Sequence, residues 1–144
     1  MTNCGNNQHH PCCCNPCCDP SPLLPKVLSS VNKTNISIQQ TTTDLLATIT
    51  TVNPNRFGNV TVQLLTNGNL ATDIDVTITL FLDSSTPVLQ YTQTIPATTL
   101  TTIGHHKEVV SFQGLLQTAG TYTVKATAST TNTITAINVR LTII

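Results

Sequence analysis

Residues 74–80, Ile74-Asp75-Val76-Thr77-Ile78-Thr79-Leu80, alternate apolar and polar without a break. Successive side chains of a β-strand point to opposite faces, so a period of two predicts a strand with one face buried and the other in water. Val60-Thr61-Val62-Gln63-Leu64 and Tyr122-Thr123-Val124-Lys125-Ala126 repeat the pattern. Working outward, further stretches of strand composition lie at 34–40, 45–52, 88–95, 107–113 and 134–143, which makes about eight strands. In the last of these the inward phase moves from Ile134 and Ala136 to Ile137, Val139 and Leu141, which predicts a bulge. Turn signals separate the strands: Asn53-Pro54-Asn55, Asn67-Gly68-Asn69, Asp83-Ser84-Ser85, Ile103-Gly104 and Ala119-Gly120. Their spacing of about 8–12 residues suits a sandwich or barrel rather than βαβ units, and no stretch carries a helical period. The expected fold is all-β: an eight-stranded antiparallel jelly-roll β-sandwich over residues 26–144, preceded by an extended N-terminal arm over residues 1–25.

Composition narrows the function. Six Lys and Arg balance six Asp and Glu, and charged residues make up only 8% of the chain, against roughly 25% in an average soluble domain. Without a basic excess there is no electrostatic footprint for nucleic acid or for an anionic membrane surface, so neither is an expected partner. Five Phe and Tyr and no Trp leave little for a stacking platform or a cofactor pocket, and no cofactor is expected. Threonine takes the place of the missing charges, at 29 of 144 positions. It is β-branched and fits a pleated surface, and its hydroxyl suits the solvated face. Charges also keep strand edges from pairing with other chains. A threonine-faced sheet that lacks them is open to self-association.

Residues 1–25 hold five of the eight prolines and almost nothing that could enter a core. In polyproline conformation, at roughly 3.1 Å per residue, such an arm reaches about 60–75 Å and could cross a neighbouring subunit. All six cysteines lie in it: Cys4, then Cys12-Cys13-Cys14-Asn15-Pro16-Cys17-Cys18. Adjacent residues have Cα atoms about 3.8 Å apart, below the usual disulfide range of about 4.4–6.8 Å, so neighbouring cysteines rarely pair with each other. Since the body contains no cysteine, partners come from this arm or from the same arm on other chains. Three readings stay open at this point. Cross-links between chains suit adjacent cysteines that seek separate partners. Cys14-x-x-Cys17 with His9 and His10 nearby could hold a soft metal ion, although the second spaced pair of a structural zinc site is missing. Bridges confined to one arm are the third.

The first 22 residues have neither a basic start nor the apolar run of a secretory signal, so synthesis in a cytosol is expected. Cytosolic thiols are kept reduced, which conflicts with a disulfide reading unless the protein later meets an oxidising environment. Catalytic patterns are missing: Glu108 is the only glutamate, and there is no Gly-x-Ser-x-Gly motif or phosphate-binding glycine loop. His105-His106 follow Gly104 and read as a solvated loop. No enzyme activity is expected.

The layout resembles the endospore appendage subunits of spore-forming Bacillus relatives: a small threonine-rich jelly roll behind an arm with double cysteines, here Cys12-Cys13-Cys14 and Cys17-Cys18. The resemblance is one of architecture and arm, not of the body residue by residue. It implies a structural subunit that self-assembles into a disulfide-stabilised, pilus-like fibre on the spore surface, with the arm docking on neighbouring copies. It implies intermolecular disulfides at Cys12, Cys13, Cys14, Cys17 and Cys18, with Cys4 as a further candidate. In that family acceptor cysteines stand in the β-body, whereas none follows Cys18 here. Arm-to-arm disulfides would replace arm-to-body ones, and the bodies would meet non-covalently, for example by strand addition at a sheet edge. A subunit made in the mother-cell cytosol needs no signal peptide, and lysis of that cell would expose the thiols to oxygen. The expected partner is the chain itself, as a homo-oligomer or polymer, with a spore-coat or exosporium anchor protein as a further one. The alternative is a binding or adhesion module at the spore surface or fibre tip, held by the cysteine-rich arm.

Overall fold

The computed structural model describes residues 26–97, 105–130 and 134–144. They form eight strands: β1 (Leu28–Ser37), β2 (Thr43–Thr51), β3 (Arg56–Asn67), β4 (Ile74–Leu82), β5 (Thr86–Ile95), β6 (His105–Leu116), β7 (Gly120–Ala128) and β8 (Ile134–Ile143). No helix occurs among the described residues. The strands pair as a nested hairpin. β4 lies beside β5, β3 beside β6, β2 beside β7 and β1 beside β8, all antiparallel. Rolling that long hairpin adds the contacts β3–β8 and β4–β7 and yields two four-stranded sheets, β1-β8-β3-β6 and β2-β7-β4-β5. This is the jelly roll expected from the strand count and spacing.

Alternation in the sequence becomes the core. Val60, Val62 and Leu64 of β3 and Val139, Leu141 and Ile143 of β8 face Ile74, Val76, Ile78 and Leu80 of β4 and Val124 and Ala126 of β7, all buried between the sheets. Each buried Val, Leu or Ile among them contributes roughly 1.5–3 kcal/mol by leaving water. The residues between them point outward, and there the threonines pair across strands. Thr48 meets Thr123, Thr50 meets Thr121 and Thr77 meets Thr92 through their hydroxyls, while Thr61 meets Ser111 on the other sheet. Cross-strand hydroxyl pairs of this kind stabilise a sheet face without charge.

Asn53-Pro54-Asn55, Gly68-Asn69 and Asp83-Ser84-Ser85 lie between strands as expected, Gly120 opens β7, and Ile103-Gly104 lies outside the described residues. Asp83 and Ser84 both take positive φ, 49° and 64°, and the Ser85 amide donates to the Leu82 carbonyl, which closes the tight β4–β5 hairpin. Gly68 (φ 82°) and Asn55 (φ 55°) supply the left-handed residues of the β3–β4 and β2–β3 connections.

Three local readings change. β1 starts at Leu28, six residues before the stretch 34–40 expected from pattern. Its inward positions include Asn32, whose side-chain amide donates to the Leu45 carbonyl across the sandwich, so a polar residue occupies the core side and hides the alternation. His105 and His106 do not form a loop. They open β6, opposite Asn67 and Thr66 of β3. The bulge in β8 is present: Gln63 and Leu64 of β3 pair with Asn138 and Ala136, leaving Ile137 as the extra residue. Ile137 is therefore half-buried instead of facing inward, and the inward phase resumes at Val139.

Tyr122 is fully buried near the start of β7, and its hydroxyl donates to the Thr118 carbonyl in the β6–β7 turn. Desolvation by burial raises its pKa above the ordinary 10.0, and the charge on Asp83 acts in the same direction. Since the folded-state value lies above the unfolded one, this group's contribution to stability is complete below about pH 10 and falls as pH rises through the raised value. Tyr122→Phe is expected to cost roughly 0.5–1.5 kcal/mol at neutral pH and to reduce the loss of stability above about pH 10. Thermal unfolding of both proteins across that pH range checks it.

Candidate assembly surfaces

The two sheets leave four edge strands. β1 and β2 lie on one side of the sandwich, β5 and β6 on the other. The first side is irregular. β1 loses register between Lys33 and Ile36, and β2 between Asp44 and Thr48. Within the β2 irregularity Leu46 takes φ 59°, and its amide is held by the Asp44 carboxylate at 2.7 Å. A branched-chain residue in the left-handed region is strained, and a bulged, charged edge resists strand addition.

β6 is different. It runs opposite β3 for its whole length, from His105–Asn67 to Leu116–Arg56, without a shift. Its hydrogen-bonding direction follows from the far side of β3. Phe57 and Ile144 exchange both backbone hydrogen bonds, so the N–H and C=O of Phe57 point to β8, away from β6. In an antiparallel ladder that direction alternates residue by residue. Gly114, Phe112 and Val110 therefore bond to β3, while Leu115, Gln113, Ser111, Val109 and Lys107 present their N–H and C=O groups to the open edge. From Val109 to Leu116 this edge carries no charged residue. β5 is also uncharged, with Pro87 and a register shift at its start.

Side chains close the sandwich where β5 and β6 overlie each other. Tyr91 stacks on Phe112, with ring centroids 6.0 Å apart and an interplanar angle of 16°. Gln93 donates to the Glu108 carboxylate at 2.7 Å, and the other oxygen of Glu108 lies 3.6 Å from Nε2 of His106. Leu89 fills the space where Gly114 lacks a side chain. These contacts hold β6 against β5 of the opposite sheet.

The fold is shared with solved structures. A chain of the T13 IBDV viral particle matches with a TM-score of 0.50 at 13% identity, over 83% of this chain and 31% of that one. A chain from infectious bursal disease virus Gt strain matches with a TM-score of 0.51 at 12% identity, over 84% of this chain and 33% of that one. The chain thus spans about a third of the length of each. At these identities the likeness is one of fold. No family profile matches the chain, and no curated protein matches it in sequence.

The cysteines singled out by sequence, Cys4, Cys12, Cys13, Cys14, Cys17 and Cys18, lie outside the described residues, as do His9 and His10. Among the described residues, no three or more His, Cys, Asp or Glu side chains converge in a way that could hold a metal ion. A surface hollow lies on the outer face of the β1-β8-β3-β6 sheet, lined by Val31, Lys33, Thr61, Gln63, Asn138 and Arg140 with Val109. It offers amides, a hydroxyl and two cations with no carboxylate beside them, which is poor material for acid–base chemistry.

Proposed function

We propose that the chain is a structural subunit that polymerises into a disulfide-stabilised fibre on the spore surface. Its sandwich forms the wall, its arm docks on a neighbouring copy, and arm cysteines cross-link the copies. The observation that carries self-assembly is the β6 edge, twelve residues long in unbroken register with β3 and uncharged from Val109 onward. Such an edge is a template for pairing with another chain, and the opposite side of the sandwich is bulged and charged at Lys33 and Asp44. A weakly charged, hydroxyl-paired outer surface further lowers repulsion between copies that carry no net charge. The spore setting, manufacture in the mother-cell cytosol and the cross-linking role of the cysteines rest on the resemblance of arm and layout to the endospore appendage subunits. In this reading the role is structural rather than catalytic, and an anchor protein in the spore coat or exosporium would hold the fibre base.

Negative-stain electron microscopy of the recombinant full-length chain, with and without reductant, tests the reading. Regular fibres are expected from the protein alone. A preparation that stays monomeric under oxidising conditions would sink it and leave the anchored binding module as the better account.

A further inference from the structure

The charges of this neutral chain are sorted between the two outer faces of the sandwich. Lys33 of β1, Arg140 of β8 and Lys107 of β6 point outward from the β1-β8-β3-β6 sheet, because their strand neighbours Asn32, Val139 and Glu108 are turned toward the opposite sheet. Among the described residues that face carries no carboxylate, and none of the three cations makes an ion pair. The face of the β2-β7-β4-β5 sheet is the reverse. Asp44 of β2 and Asp75 of β4 lie on it, with Asp73 and Asp83 at the two ends of β4. Among the described residues its one cation is Lys125, which is held on its own face, donating to the Ser84 carbonyl at 2.9 Å and lying over the Phe81 ring. One oxygen of Asp44 accepts from the Leu46 amide and one of Asp75 from the Thr94 hydroxyl, which leaves the second oxygen of each for a cation.

The two patterns match in position as well as in sign. Asn32 donates to the Leu45 carbonyl, so residue 45 of β2 is level with residue 32 of β1, and β2 runs back alongside β1 after the connection at 38–42. Asp44 is therefore level with Lys33, and Leu46 with Val31, which pairs with Arg140. On the far side Gln93 bonds to Glu108 and Tyr91 stacks on Phe112, so Thr94 and its partner Asp75 are level with Lys107. In each body β1 overlies β2 and β6 overlies β5. A second copy displaced along the normal to the sheets, without rotation, thus sets its Lys33 over Asp44, its Val31 over Leu46 and its Lys107 beside Asp75. Val31 is 48% exposed and Leu46 63%, so the apolar pair gains cover in the same contact.

We propose that copies of this chain stack front to back, the β2-β7-β4-β5 face of one against the β1-β8-β3-β6 face of the next. The bulge of β2, with exposed Leu46 beside a carboxylate, meets the hollow lined by Val31, Lys33 and Arg140. The contact is head to tail, so each copy can make it twice. Taking a second copy as the partner rests on the self-assembly reading, but the open β6 edge is not used: strand addition extends the sheets in their plane, and stacking adds layers across them. Exposed charge pairs contribute little each, so stacking alone is weak, reversible and sensitive to salt.

Sedimentation of the full-length chain at high protein concentration under reducing conditions tests it. Every sample carries Gln113→Pro to remove strand addition at β6, so the result does not depend on that contact. Reversible association is expected, several-fold weaker in about 0.5 M salt than in about 0.05 M. Adding Lys33→Glu or Asp44→Lys should weaken it several-fold, since like charges then meet. An equimolar mixture of the two should recover the original strength, because every contact between unlike copies again joins opposite charges. Lys107→Glu and Asp75→Lys should behave in the same way, and this second pair decides the matter if the Asp44 change unfolds the β2 bulge. Absence of association, indifference to charge reversal, or mixtures of both pairs no stronger than their components overturn the proposal. So does stronger association with Lys33→Glu alone, because two cationic faces would then be meeting.

Discussion

Gln113→Pro is expected to leave the sandwich folded and to abolish its regular fibres. Gln113 lies on β6 with its side chain on the exposed outer face and its N–H directed to the open edge, so proline there removes no hydrogen bond within the subunit. Its fixed φ is tolerated on an edge strand, and the effect on subunit unfolding should be small. Strand addition, in contrast, would lose a donor in the middle of the new ladder and leave the incoming carbonyl without a partner. An unsatisfied buried group costs about 1–3 kcal/mol, which weakens each contact about fivefold to over a hundredfold. A fibre repeats that contact at every step, so the loss multiplies along its length. Electron microscopy should show fibres for the parent chain and for Gln113→Thr, and none for Gln113→Pro. Circular dichroism should report the same β-structure in all three. Fibres of ordinary length from the proline variant would exclude β6 as the joining edge.

Replacing Cys4, Cys12, Cys13, Cys14, Cys17 and Cys18 together by serine is expected to act on the other half of the assembly. The described body contains no cysteine, so its core and both sheets should be untouched. Non-reducing electrophoresis after boiling in detergent should show high-mass species for the parent and a monomer for the variant. The reason is kinetic as well as energetic: non-covalent contacts release when their subunits unfold, whereas a disulfide between chains requires thiol exchange to open. Microscopy should still find fibres of the serine variant in mild buffer, since the edge contact is separate from the arm. Detergent resistance undiminished by the substitutions would remove the arm as the cross-linking element. The two variants also distinguish their roles from each other. Gln113→Pro with its cysteines intact should yield cross-linked oligomers without regular fibres, and the serine variant should yield regular fibres without cross-links.

Much of the sandwich was legible in the residues. The alternation of Ile74–Leu80 and Val60–Leu64 marks β4 and β3 because a buried face needs every second side chain to be apolar, whatever the partner strand. The phase slip in residues 134–143 announced a bulge that the structure places at Ile137. The start of β1 was hidden because an edge strand puts Ser30 and Asn32 on the inward side, where polar groups can still find partners such as the Leu45 carbonyl. His105-His106 read as a loop by composition, but their place at the end of a long β3–β6 ladder makes them strand. Glu108, an isolated carboxylate in the sequence, turned out to receive Gln93 from the opposite sheet.

By itself, then, the sequence determined that this protein is built from about eight strands with a buried and a threonine-rich face, and that its cysteines are confined to one arm. Both are local properties, carried by side-chain period and by composition. Only the tertiary structure decided which strands lie at the edges, that β6 offers the regular one, and that Lys33, Lys107 and Arg140 share one outer face. Those facts depend on which distant segments pair. An antiparallel partner is selected by the packing of the whole hairpin into two sheets, and no window of neighbouring residues records it.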